Sequence, residues 1–326
     1  MKVLPSFLQR LHKSLAGQKC QIIICDNSSQ DGVEDFLRNE WPDVLFLPSS
    51  RNEGYGAALN RGITASKAPF VALMNPDVTV QPSGFEKLVT FLEERPVAAG
   101  VSGVVAHLGE CPETFSVESV FPNNRIPVHL GYATLKSRIL FYSGLRTKFR
   151  QNPVFVPWST VTARHAISVS RLNGAFGVYR KKALCEVNLF DPRFFLYFEE
   201  DDLALRLIKK GYKLYVTDRT IIIHESGTGS AQSNHPITDK ILLNSQYMFF
   251  AKHYSRMYAW LVFFSIWGVL SIVLLFQTIF LRPMLKNTAS LWQWHFFTFL
   301  NKGIIPAETI PAGGKEGVKY NWIESN

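Results

Sequence analysis

A chain of 326 residues with 47% hydrophobic content can bury a sizeable core as one large domain or two modest ones, which excludes a disordered or low-complexity protein. Its formal net charge of +9 suits an anionic partner such as nucleic acid, a phosphorylated small molecule or an anionic lipid surface, and by itself selects none of them. Cys20, Cys25, Cys111 and Cys185 form no CxxC pair and have no histidine at zinc-finger spacing, so they read as reduced, buried thiols of a cytosolic protein.

In chain order, "MKVLPSFLQRLHKSLAG" mixes polar residues into its apolar positions. It predicts an amphipathic helix ended by Gly17, without a signal-peptide core. From Gln21 onward short apolar runs alternate with helical patterns. "QIIIC" reads as a strand, Val33 to Asn39 as a helix, "VLFLP" as a strand, Ala57 to Ser66 as a helix and "FVALMN" as a further strand. That alternation predicts an α/β fold, a mostly parallel sheet with helices on both faces, and places ligands beyond the carboxyl ends of the strands. Asp26-Asn27-Ser28, Asn52-Glu53-Gly54 and Asn75-Pro76-Asp77 sit at those ends. Residues 107 to 170 lack a period and read as an insertion or lid, after which order returns with "RLNGAFGVYR", an acidic helix, "KLYVT" and "TIIIHESGTGS".

The acidic helix follows "FFLYF" with Glu199, Glu200, Asp201 and Asp202. Helix starts favour one or two acids through the dipole, and Asp202 can pair with Arg206 one turn on. Four adjacent carboxylates after aromatic residues exceed that need and point to a cation or a proton to be taken up. Taken singly, the other polar clusters have structural readings as well: Asn-Pro-Asp makes a good turn, and His224 suits a core.

Tyr258 to Leu281 contains no charged residue, is long enough to cross a bilayer as one helix, and is flanked by Lys252, Arg256, Arg282 and Lys286. The alternatives are a buried helix or one broken near Gly268 lying in one leaflet. "LWQWHFFTFL" reads as interfacial. The expected division is therefore a catalytic domain over 1–256 and a membrane-associated segment and tail over 257–326.

Five motifs in one order, "DNSSQDG", "NEGYGAALNRG", "MNPDV", "FFLYFEEDDLALR" and "HESGTGS", resemble the family-2 glycosyltransferases of the GT-A fold, in particular rhamnosyltransferase-like members that build bacterial surface polysaccharides. The resemblance covers roughly Ile22 to Ser230. It implies a GT-A-type Rossmann-like sheet and an inverting transfer of a sugar such as rhamnose from a nucleotide-sugar donor to a lipid-linked or growing glycan acceptor. It puts Asp26, Asn27 and Ser28 near the nucleotide, with Asn52, Gly54, Gly56 and Asn60 lining the same site. Asn75 stands where related enzymes often carry an acid, Asp77 is the metal-binding acid, and Mg²⁺ or Mn²⁺ is expected on the diphosphate, Asp77 and His224. Glu200 falls at the base position, with Asp201 as the alternative and Glu199 and Asp202 in support. "NGAF", Asn173 to Phe176, would border donor sugar and acceptor.

The same resemblance implies a hydrophobic strand ahead of the first helix. The sequence carries none, so the expectation is a reading frame that begins late and a row of unpaired backbone groups in the sheet, with a non-catalytic membrane-bound scaffold as the competing function. The QxxRW signature of processive synthases and the Gly-rich loop of nucleotidyltransferases are absent, and the basic residues form no stripe for nucleic acid. The expected place is the inner (cytoplasmic) membrane, with the catalytic domain facing the cytoplasm.

Overall fold

The computed structural model describes residues 3–15, 17–108, 125–128, 134–142, 154–157, 161, 165–225, 236–280, 289 and 292–293. Its contacts group into two compact units. The first comprises Met1–Gly131, Pro153–Pro192 and Glu200–Gln232, and the second Tyr132–Asn152, Arg193–Glu199 and Ser233–Asn326.

The first unit opens with α1 (Leu4–Ser14), with a proline in its first turn, where the missing N–H costs nothing. Its apolar positions Phe7, Leu8 and Leu11 recur at helical spacing and are buried. A parallel pair follows, β1 (Ile23–Cys25) beside β2 (Leu45–Leu47), crossed by α2 (Val33–Glu40). Glu34 and Asp35 in the first turn of α2 and Arg38 in its last complement the helix dipole. Then come α3 (Tyr55–Ala65), β3 (Phe70–Met74), β4 (Val78–Val80), α4 (Gly84–Glu93) and β5 (Ala98–Leu108). Two short strands, β6 (Arg125–Val128) and β7 (Val154–Pro157), pair antiparallel. The unit closes with β8 (Ala166–Val169), β9 (Phe176–Arg180), α6 (Lys181–Glu186), α7 (Glu199–Lys209, all but its first residue) and β10 (Lys213–Glu225). Helix α5 (Leu135–Tyr142) belongs to the second unit.

The main sheet has the order β3-β9-β5-β10-β4, with β8 also on β10. It is mixed, which corrects the mostly parallel expectation. β9 lies antiparallel to both β3 and β5, and β10 is parallel to β5 but antiparallel to β4 and β8. The alternation of apolar runs and helices revealed the early strands; it could not show that "FGVYR" returns between two earlier strands in the reverse direction. One consequence matters for function. β3, β5 and β10 all point the same way, so their carboxyl ends share an edge with the start of β9 and of β4.

The β1–β2 pair forms its own sheet. Among the described residues neither β1 nor β3 has a strand on its other edge. One core nevertheless serves both sheets. Phe7, Leu8 and Leu11 of α1, Val33 and Leu37 of α2, and Phe85, Leu88, Phe91 and Leu92 of α4 cluster with strand residues such as Val101 and Phe176, and Ile24, Phe46, Phe70 and Met74 pack against them. The thiols differ from expectation: Cys20 and Cys185 are free and exposed and Cys25 is half-buried, because Cys20 sits in the loop after Gly17 and α6 turns Ala183 and Leu184 inward instead. Cys111 lies outside the described residues.

In the second unit α8 (Pro236–His253) and α9 (Arg256–Phe280) pack as neighbours, joined by an aromatic cluster in which Phe250 meets Tyr254 and Tyr258. Helix α9 runs unbroken through Gly268. It is long and apolar enough to cross a membrane by length and composition, and only 28% of its most apolar window is buried. Met257, Leu261, Phe264, Ile272 and Leu275 form an exposed apolar stripe at helical spacing. Of "LWQWHFFTFL" only Trp292 and Gln293 are described; the indole of Trp292 donates to Ser271 Oγ at 2.7 Å.

β10 carries the irregularity that lets it serve two edge partners. Its register against β5 jumps between Thr217 and Ile221. Before the bulge it pairs with β8 and after it with β4, and the Ile221 N–H freed by the jump donates to Gln81 Oε1 at 2.9 Å. Gly103 faces the bulge, and a Cβ there would overlap the Thr220 carbonyl. Gly103→Ala should therefore lower the unfolding free energy by about 1–3 kcal/mol, measured by denaturant titration.

Candidate active site

The loop after β1 is held by its own side chains. Asp26 Oδ2 accepts the Ser29 N–H at 2.8 Å, an Asx turn, and Ser28 adopts φ 70 with its hydroxyl on the Ser50 carbonyl. Asn27 Nδ2 donates to the Gly54 carbonyl at 2.9 Å, tying this loop to the one after β2. There Asn52 Oδ1 accepts the Gly54 N–H at 3.0 Å, and Gly54 takes φ 89, a conformation open to glycine.

Two residues expected to line a ligand contact Phe190. Asn60 donates to the Phe190 carbonyl at 2.8 Å and accepts the Phe190 N–H at 2.9 Å. Gly56 makes room for the same residue: a Cβ there would lie 2.9 Å from Phe190 Cβ. The next residue of the motif, Arg61, does what no residue chosen from the sequence does. It donates to the carbonyls of Leu47 at 3.0 Å, Pro48 at 2.8 Å and Asp26 at 2.7 Å, while its Nε lies 3.3 Å from Glu53, so one guanidinium staples the ends of β1 and β2.

The turn Asn173-Gly174-Ala175, just before β9, draws the other loops together. Tyr55, at the start of α3, donates its hydroxyl to the Gly174 carbonyl at 2.5 Å. The Asn75 N–H donates to the Ala175 carbonyl at 2.9 Å. Asn173 Oδ1 accepts the Ala175 N–H at 2.9 Å and fixes the turn. Gly174 also abuts Glu200, whose carboxylate occupies the space a side chain at 174 would need.

Two residues beyond Asn75, Asp77 is buried on the edge of β4, and its Oδ2 lies 3.3 Å from His224 Nε2 on the paired end of β10. The backbone locks the pair, since the Glu225 N–H donates to the Asp77 carbonyl at 2.8 Å. Glu225 itself faces Arg10 of α1 at 3.3 Å. A carboxylate oxygen and an imidazole nitrogen side by side are donor types that a divalent cation such as Mg²⁺ or Mn²⁺ accepts. The donor set fits a cation that would take its remaining ligands from elsewhere. Among the described residues no third acid, histidine or cysteine joins them, and Ser226 to Ser230 of the same motif lie outside the described residues.

The four acids of α7 diverge, because a helix turns each successive side chain by about 100°. Glu199 is buried. Asp202 is fully buried and bound by Arg206, with Arg206 Nε at 2.9 Å and its NH2 at 2.7 Å, which is the structural pairing. Asp201 lies 3.4 Å from Arg171, a buried arginine. Glu200 rests against Gly174, near the buried Tyr179. Burial pushes the Glu200 carboxyl above its ordinary range and the Asp201 charge adds to the rise, against the Arg171 guanidinium. Burial, and then the Glu200 charge, likewise push the Tyr179 hydroxyl up. Just before the helix, Tyr197 and Phe198 both take left-handed φ, 68 and 66, a strained arrangement for bulky residues.

The description of Glycosyl transferase family 2 matches residues 3–168, half of the chain. The chain belongs to this family. It is 28% identical, over 74% of its length and 78% of the relative's, to an N-acetylglucosaminyl-diphospho-decaprenol L-rhamnosyltransferase of Mycobacterium tuberculosis. It is 25% identical to the succinoglycan biosynthesis protein ExoA of Rhizobium meliloti, over 67% of this chain and 58% of that protein. Among solved structures, GalNAc-T7 with UDP, GalNAc and Mn²⁺ aligns at TM-score 0.49 and 13% identity over 73% of this chain and 45% of its own.

The Asn60 clamp separates a structural from a ligand-lining role. Asn60→Ala should cost about 1–3 kcal/mol by leaving both backbone groups of Phe190 unmatched, seen as a lowered denaturation midpoint, with donor KM changed less than twofold in the protein that remains folded.

Proposed function

We propose that this family-2 glycosyltransferase is an inverting enzyme that moves a sugar, rhamnose in the favoured reading, from a nucleotide-sugar donor to a lipid-linked or growing glycan acceptor in bacterial surface polysaccharide synthesis. The observation that carries the proposal is the seating of the Glu200 carboxylate against Gly174, one turn of chain from Asn75 and hence from the Asp77–His224 pair. The choice of rhamnose and of a diphospho-lipid acceptor is supported by the name of the M. tuberculosis relative.

In this reading the loops after β1 and β2, joined by the Asn27–Gly54 bond and stapled by Arg61, receive the nucleotide. Asn27 Oδ1 is buried without a hydrogen-bonding partner among the described residues and offers an acceptor there. Asp77 and His224 would hold Mg²⁺ or Mn²⁺, which would supply neutralisation of charge on the departing diphosphate. Glu200, on the opposite side of the sugar, accepts the proton of the acceptor hydroxyl as its oxygen attacks the anomeric carbon. The raised affinity of its carboxyl for a proton suits it to that role. Asn173 to Ala175 border the sugar between the two. The exposed apolar stripe of α9 and its basic flanks support attachment to the inner (cytoplasmic) membrane, with the catalytic unit on the cytoplasmic face.

A second reading, a non-catalytic membrane-bound scaffold, is favoured by β1 and β3 having no strand on their outer edges among the described residues. Release of nucleoside diphosphate from nucleotide sugars in the presence of a polyprenyl-diphosphate glycan acceptor separates the two; a chain that binds donor and never turns over supports the scaffold.

Glu200→Gln should lower kcat by about 10²–10⁴-fold with donor affinity nearly intact, measured by diphosphate release and by donor titration. Asp77→Ala should weaken donor binding in the presence of Mg²⁺ or Mn²⁺ and flatten its dependence on the ion; an unaltered metal titration would remove Asp77 from the cation site.

A further inference from the structure

We propose that Arg171 is the positioning residue that separates the roles of the two adjacent carboxylates: it ties down Asp201 and leaves Glu200, lodged against Gly174, as the group that meets the acceptor hydroxyl. This inference rests on the proposed glycosyltransferase site.

Arg171 stands at the end of β8, outside the five motifs. Its side chain is only 7% exposed, and its Nε lies 3.4 Å from Asp201 Oδ2. A second guanidinium nitrogen donates to the Leu172 carbonyl at 3.3 Å, on the backbone that leads into Asn173 and Gly174. One cation therefore grips the helix carrying both acids and the turn against which Glu200 rests. A buried arginine needs a counter-charge, and of the two acids Asp201 supplies the ion pair. The groups facing Glu200 are Arg171, Asp201 and Tyr179, while the nearby Tyr55 hydroxyl is committed to the Gly174 carbonyl. Arg171 and Asp201 act on Glu200 in opposite directions. Paired, their effects partly cancel and burial governs the base. With Arg171 gone, a buried like charge stands beside Glu200 and holds its proton more tightly.

The test is the pH profile of kcat/KM for the full chain in detergent micelles, with a nucleotide-rhamnose donor and an N-acetylglucosaminyl-diphospho-lipid acceptor. Arg171→Met should move the acid limb to higher pH, with about a tenfold loss below the limb and recovery above it. Arg171→Lys, which keeps the charge, should leave the limb close to wild type. Asp201→Asn should move it to lower pH, and the double variant R171M/D201N should return it toward wild type. Substrate-free thermal melts read the same quantity. Because the folded Glu200 pKa is raised, its contribution to stability is full below its unfolded pKa and lost as pH rises through the folded value. The Tm difference between each variant and its Glu200→Gln counterpart should follow the same order.

An Arg171→Met enzyme impaired equally at every pH, or a double variant with no return, would overturn the proposal. If Arg171→Met fails to fold, an unmoved limb in Asp201→Asn overturns it and a downward shift supports it. A Glu200→Gln enzyme with wild-type turnover would instead refute the site on which the inference rests.

Discussion

The site depends on a side chain that is missing. At position 174 the Glu200 carboxylate fills the volume any Cβ would take, and the same residue's carbonyl receives the Tyr55 hydroxyl. Glycine is required here by close approach. Through its neighbour Ala175 the turn also holds Asn75, two residues before Asp77. One three-residue turn thus touches both the helix that carries Glu200 and the segment that leads into Asp77.

Four neighbouring acids raise the question of how a protein tolerates that much like charge. Here each meets a different surrounding. Asp202 is neutralised by Arg206 one turn away, Asp201 by Arg171 from the end of β8, and Glu199 is taken into the interior. Glu200 is partly desolvated and rests against Gly174, and its elevated proton affinity follows from that burial. Crowding the acids is therefore not a way to concentrate charge. The helix distributes them, and two arginines remove the charge of two.

The early strands and helices were legible because apolar runs of strand length alternate with helical periodicity between Gln21 and Asn75. The direction of β9 was not, since "FGVYR" carries no mark of the strands it will join, and the sheet proved mixed. Motif order singled out Glu200, Asp77 and His224; the fold sets Glu200 against Gly174 and Asp77 beside His224, and the Asp202–Arg206 pair was legible from helical spacing alone. The contacts of Asn60 and Gly56 with Phe190 carried no local signal, because their partner is about 130 positions away in the chain. Arg171 had no local signal. Its partner is 30 positions away, and only the fold brings them together.

The central claim is that one cation-bearing diphosphate pocket lies at the strand-end edge organised by Gly174. A crystal structure of the full chain with a nucleoside diphosphate sugar and Mn²⁺, with the ion located by its anomalous signal, tests it most directly. The account predicts the ion bonded to Asp77 and His224 and the anomeric carbon between the diphosphate and Glu200. An ion bound elsewhere, or a sugar with Glu200 on the same side as its leaving group, would contradict it.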